Sequence, residues 1–223
     1  LPNLYIIAGC NGAGKTTASF TVLPEILDCN EFVNADSIAA GLSPFNPESV
    51  AMEAGRLMLQ RIDQLKSEQV DFAFETTLAA RSYVPFIKSS RETGYRVTLL
   101  YFWLSSPAVA KERVVRRVSK GGHNIPADVI VRRYFAGIRD LINLYLPLCD
   151  NWVVINNLGN CPELIAAGTL GGDEDLSEMV LKGVQKAVSD LIEASAAKGE
   201  DLVIGKEDGS FKIVPAKDLL PKA

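Results

Sequence analysis

No stretch of this chain approaches the roughly 18 consecutive apolar residues that a membrane-spanning helix needs, so no membrane partner is expected. Paired cysteines are missing too. Cys10, Cys29, Cys149 and Cys161 are scattered, with no CxxC and no metal-ligand spacing. Free thiols in a reducing cytoplasm are the expectation, ahead of a disulfide pair. Basic charge is not in excess: 23 Lys and Arg stand against 27 Asp and Glu, a net charge of −4. No global field therefore draws the chain to nucleic acid or anionic lipid, and no nucleic-acid partner is expected. Histidine is nearly absent, with His123 alone. The chain opens on Leu1 rather than Met, so a trimmed N-terminus is expected, and no signal peptide is in view.

What is present is enough apolar material for a sizeable core. At 223 residues and 48% hydrophobic, the chain suits one generous domain, or a main domain with a small appendage. From Leu4 to about Asn157, strand-length apolar runs alternate with segments of helical period. The strand candidates are "LYIIAG", "FVNAD", "FAFETT", "VTLLYFWL" and "WVVINN". They are nearly continuously apolar, as parallel strands covered on both faces are. Helical patterns lie between them, over residues 47–68, 81–94, 106–118 and 126–146, with Pro126 in a first turn. The expected fold is α/β, a doubly wound and mainly parallel sheet. Residues 1–171 are assigned to this domain. Residues 172–223 read instead as an appendage of one amphipathic helix and a β-hairpin turning at Asp208-Gly209.

"GCNGAGKT", Gly9 to Thr16, fits G-x-x-x-x-G-K-[ST] between a strand and a helical segment. Backbone N–H groups of such a loop wrap a phosphate, so Asn11, Gly12, Ala13, Gly14, Lys15, Thr16 and Thr17 are the expected nucleotide contacts. Lys15 would reach the β and γ phosphates, and the Thr16 hydroxyl would meet Mg²⁺. The dinucleotide fingerprint G-x-G-x-x-G is not met, because the glycines stand at 9, 12 and 14. An acid about twenty residues after the loop is thus not read as a ribose ligand.

That acid is Asp36, at the end of "EFVNAD". It is read as the carboxylate that takes a proton from an attacking hydroxyl, or as the N-cap of "SIAAG", or as an outer Mg²⁺ contact. Glu75 ends "FAFE" in the same way and is followed by Thr76 and Thr77. With Asp36 they make two carboxylates and two hydroxyls, which suit a hydroxyl-rich acceptor or Mg²⁺ waters, and a structural Glu75 paired with a helix arginine is the alternative. In "ERVVRRVSKGGHNIP", Arg113 and Arg117 share a helical face before Gly121-Gly122. They are read as lid arginines closing on the phosphoryl group, with a solvated basic face as the plain reading. His123 sits in the same segment, either as a phosphate donor or as loop packing.

Taken together, "GCNGAGKTT", "NADSIAAGLSP", "FAFETTLAARSYV", "ERVVRRVSKGGHNIPADVIVRRY" and "LINLYLPLCDNWVVINN" resemble the zeta-toxin family of P-loop kinases, in its bacterial zeta-like branch. The resemblance implies a P-loop kinase fold, a catalytic aspartate at Asp36, acceptor contacts from Glu75 to Thr77 and lid arginines over 113–123. It also implies ATP or GTP with Mg²⁺, phosphorylation of a sugar hydroxyl of UDP-N-acetylglucosamine, and an antitoxin partner. Two other readings stay open. One is a metabolic kinase of another small hydroxyl acceptor; the other is a nucleotide-binding switch without efficient turnover.

Overall fold

The computed structural model describes residues 1–122, 124–169 and 174–220, the side chains of 174–177 excepted. Six strands form one sheet in the order β2-β3-β1-β4-β5-β6. They are β1 (Asn3–Gly9), β2 (Phe32–Val33), β3 (Phe72–Thr76), β4 (Arg96–Trp103), β5 (Asn151–Asn156) and β6 (Glu163–Thr169). The first five are mutually parallel, as the doubly apolar runs predict, and β6 returns antiparallel on β5.

Alternation along the strands feeds two cores. Tyr5 and Ile7 of β1 enter one face with Ala73, Leu100 and Phe102. Leu4, Ile6 and Ala8 enter the other with Phe72, Phe74, Leu99 and Tyr101. The second core is closed by α3 (Ala51–Glu68), through Met58, Ile62 and Leu65, and by α4 (Tyr83–Glu92), through Ile87. The first is closed by α1 (Lys15–Thr21), α5 (Pro107–Ser119) and α6 (Ala127–Asp140). The single helix expected over 126–146 stops being α-helical at Asp140, then makes a π turn and a 3₁₀ turn ahead of β5.

The C-terminal segment supplies α7 (Glu174–Ala197) and a hairpin of β7 (Asp201–Gly205) and β8 (Phe211–Pro215). Gly209, at φ +84°, makes the turn predicted at Asp208-Gly209. These elements share the first core rather than standing apart from it. Val180 and Val184 of α7 and Val203 of β7 pack with Leu23, Val109 and Ile155. Gly205 donates its N–H to Leu158 O, and Ser105 and Ser106, ahead of α5, donate to Lys206 O and Gly209 O.

One strand was not expected. β6 reads "ELIAAGT", too rich in small residues to look like a strand. Its place depends on Trp152, whose indole lies over Gly168 at the paired position, where a Cβ would come within 2.5 Å of the ring. All four cysteines are free thiols; Cys10, Cys29 and Cys149 are buried and Cys161 is exposed. Among the described residues no helix is long and apolar enough to cross a membrane.

Candidate active site

The loop between β1 and α1 lies at the carboxyl edge of the sheet, where open α/β sheets place their ligands. Its path is held from two sides. At Gly12, φ is +79° and a Cβ would sit 2.7 Å from Ala110 O of α5. At Gly14, φ is +86° and a Cβ would sit 2.4 Å from Asn157 Nδ2, which itself donates to Ala13 O at 2.7 Å. Only glycine satisfies both the dihedral and the clearance at these positions.

Lys15 and Thr16 open α1 directly beneath the loop. Lys15 is 5% exposed; its Nζ donates to Cys10 O at 3.0 Å and lies 3.4 Å from Glu75 Oε1. The other oxygen of Glu75 accepts from Thr16 Oγ1 at 2.8 Å and from Asn34 Nδ2 at 2.7 Å. One carboxylate at the end of β3 therefore joins the ends of β1 and β2. The partner of Glu75 is Lys15 of the loop, not the helix arginine considered from sequence. A charge at the end of an apolar strand is tolerable here because three donors meet it.

Asn34 also decides the reading of Asp36. At φ −134° and ψ 121° it leaves β2 extended, and its Oδ1 accepts from the Asp36 and Ser37 N–H groups at 2.8 and 3.1 Å. Asn34 is therefore the N-cap of α2 (Ala35–Leu42), which corrects the alternative that Asp36 caps this helix. The Asp36 side chain stays exposed in the first turn. Asn34→Ala should remove both the cap and a Glu75 contact, costing about 1–2 kcal/mol, readable as a lowered urea midpoint at unchanged slope.

A cavity of about 680 Å³ opens over these groups, within the roughly 300–1,000 Å³ span of small-molecule sites. Asn11, Gly12, Gly14, Lys15, Thr16 and Thr17 line it, with Asp36, Glu75, Arg113 and Arg117. Ala13 is fully buried beneath the loop. Thr76 and Thr77, expected as acceptor contacts, are not brought to this cavity. Thr76 is 9% exposed, and its Oγ1 instead accepts from Leu78 N in the turn after β3. His123 lies outside the described residues.

Of the two arginines read as lid residues, Arg117 lines the cavity and Arg113 is tied to backbone. Arg113 Nη2 donates to Leu158 O at 2.8 Å, Nε to Val203 O at 3.2 Å and Nη1 to Gly12 O at 3.5 Å. Each of its three nitrogens thus donates to a backbone carbonyl, and burial lowers its pKa to about 10. Gly121 and Gly122 end α5, their N–H groups donating to Val118 O and Arg117 O.

Arg133 escaped the sequence reading. On α6, its Nη1 donates to Asn11 Oδ1 at 3.3 Å. Burial lowers its pKa, while the nearby Asp36 carboxylate acts in the opposite direction. The available signal was an arginine bordering the apolar stripe of Ile130, Tyr134 and Gly137, one position from the core.

Residues 1–146 match the family model described as zeta toxin, and residues 170–223 match a domain family of unknown function. An uncharacterised protein of Haemophilus influenzae is 31% identical over 128 residues, which is 56% of this chain and 88% of that protein. Among solved structures, one from the PezAT chromosomal toxin-antitoxin system of Streptococcus pneumoniae superposes with a TM-score of 0.58 at 16% identity, covering 86% of this chain and 88% of that one. AvrRxo1-ORF1:-ORF2 with ATP superposes at 0.54 and 18% identity, covering 81% and 63%. With the loop, the sheet order and a family match over residues 1–146, the chain belongs to the zeta toxin family and has the P-loop kinase fold.

Proposed function

We propose that the protein is a phosphotransferase that moves the γ-phosphoryl group of ATP or GTP to a hydroxyl of a small acceptor, with a nucleotide-sugar such as UDP-N-acetylglucosamine as the first acceptor to test. The observation that carries this reading is the exposed Asp36 carboxylate, released from capping by Asn34, in one cavity with the phosphate loop, Lys15 and Glu75. The loop's N–H groups hold the β-phosphate, and Lys15 turns from Glu75 toward the phosphate oxygens as they arrive. Glu75 keeps its bonds from Thr16 and Asn34 and so fixes the floor. Asp36 accepts the acceptor's proton as its oxygen attacks. Arg117 and Arg133 supply positive charge around the transferring group.

Thr16 Oγ1, with the Glu75 carboxylate behind it, is a hard oxygen donor, which fits Mg²⁺ held mostly by phosphate and water. Among the described residues, no cluster of three or more His, Cys, Asp or Glu would bind a metal without a nucleotide. Bound with a nucleotide, Mg²⁺ would supply positive charge to offset that of the phosphates. Three buried free thiols suit a reducing cytoplasm. An antitoxin partner is proposed from family membership.

The test is to incubate the protein with ATP or GTP, MgCl₂ and UDP-N-acetylglucosamine, and to read products by mass spectrometry. A gain of one phosphate on the sugar nucleotide is expected. Bound nucleotide with no phosphorylated product from this or other sugar nucleotides would overturn the acceptor class.

A further inference from the structure

The C-terminal appendage forms one wall of the cavity over the phosphate loop, and the topology says which half of a nucleotide that wall would meet. Both acids lie on one side of β1: Asp36 follows β2 and Glu75 ends β3, in the sheet order β2-β3-β1-β4-β5-β6. On the other side stand α5, after β4, and the loop after β5. The hairpin is fixed there. Arg113 bridges Gly12 O of the phosphate loop and Val203 O of β7, so the two are one guanidinium apart. Leu158 O, after β5, accepts from Arg113 and from Gly205 N at the end of β7. Ion pairs of Arg116 with Asp201 and Lys120 with Glu200 hold the start of β7 to α5.

On this wall three apolar residues line the cavity, Leu191, Leu202 and Val203, of which Val203 is buried in the core. Leu202 of β7 is half-buried, and Leu191 of α7 is 38% exposed although it faces a hollow. A second hollow of about 100 Å³, reaching Gly159 and Asn160, shares Arg113, Leu191, Leu202 and Val203 with the first. The two leucines thus stand where the main cavity continues past the phosphate loop.

We infer that Leu202 and Leu191 form the nucleobase wall, so that the appendage completes the nucleotide site. The inference rests on the phosphate-loop reading proposed above. A ligand held by its phosphates on the loop, with its reacting end toward Asp36, must send its nucleoside the other way. There it meets aliphatic surface that can cover the face of a heteroaromatic ring. The phosphates need none of this surface, which separates the two halves of the ligand experimentally.

The test is titration calorimetry, with MgCl₂, of wild type, Leu202→Ala and Leu191→Ala against the non-hydrolysable AMP-PNP and GMP-PNP, and against inorganic tripolyphosphate. Wild type should bind a nucleotide at least tenfold tighter than tripolyphosphate. Each variant should lose roughly tenfold for that nucleotide and keep tripolyphosphate affinity within about twofold. Leu191 is the safer site for folding, being partly exposed on a helix. Equal losses for both ligands, or no loss for the nucleotide, would overturn the inference. So would nucleotide binding no tighter than tripolyphosphate in wild type, with the phosphate loop still standing as a site. Wild type that binds neither ligand would overturn the phosphate-loop reading, and this inference with it.

Discussion

Asp36→Asn should lower phosphoryl transfer by about a thousandfold while leaving nucleotide affinity within about twofold of wild type. The amide is nearly the same size as the carboxylate and cannot accept the acceptor's proton. Among the described residues, the neighbouring group that feels the charge is Arg133, whose guanidinium bonds Asn11 rather than Asp36. The Asp36 backbone N–H still donates to Asn34 Oδ1, so the cap of α2 survives. A lost negative charge in the first turn costs only about 0.3–1 kcal/mol at an exposed position. The loop contacts of Lys15 and Thr16 pass through Glu75, not Asp36.

The measurement pairs single-turnover transfer with calorimetric nucleotide binding. If transfer persists near the wild-type rate, Asp36 is not the base and the proposed chemistry loses its proton acceptor. If nucleotide binding weakens along with transfer, Asp36 instead holds the nucleotide or its cation. Arg133 sharpens the result, because its pKa responds to the Asp36 charge.

The parts of this site legible in the sequence are those set by neighbours in the chain. The loop glycines, Lys15 and Thr16 occur at fixed spacing after an apolar strand, and both apolar faces of "LYIIAG" announced a covered parallel sheet. Groups whose roles depend on distant partners were not legible. "NADS" offers three residues able to cap a helix, and the choice of Asn34 is set by where β2 ends and by Glu75, 41 residues later. Thr76 looked like an acceptor contact because it follows Glu75, yet alternation and the turn at Leu78 place its hydroxyl on the chain itself. β6 is a strand by pairing with β5, where Gly168 leaves room for Trp152, a contact no local propensity reports. Arg113 looked like a lid arginine because the hairpin that supplies its carbonyl lies 90 residues further on.

Arg113→Met tests that last point and carries the largest expected effect on stability. The substitution keeps much of the side-chain length and removes a half-buried cation that donates to Gly12, Leu158 and Val203. Leu158 O retains Gly205 N as a donor, whereas the contacts to Gly12 O and Val203 O lose theirs. Charge-assisted bonds are worth roughly 1.5–3 kcal/mol each, and relief of guanidinium desolvation offsets part of the loss. A net cost of about 2–4 kcal/mol follows, or a fall in Tm of about 4–16 °C for a chain of this size. Because the same guanidinium spaces β7 from the phosphate loop, nucleotide affinity should fall as well. Arg113→Lys should rescue little of either, since an ammonium lacks the fork that reaches three separated carbonyls. Calorimetric melting with a parallel transfer assay separates the two roles for this residue. A large Tm loss with transfer falling in step supports a fastening role between loop, α5 and hairpin. An unchanged Tm with transfer lost a hundredfold or more would return Arg113 to the lid, acting on the phosphoryl group itself.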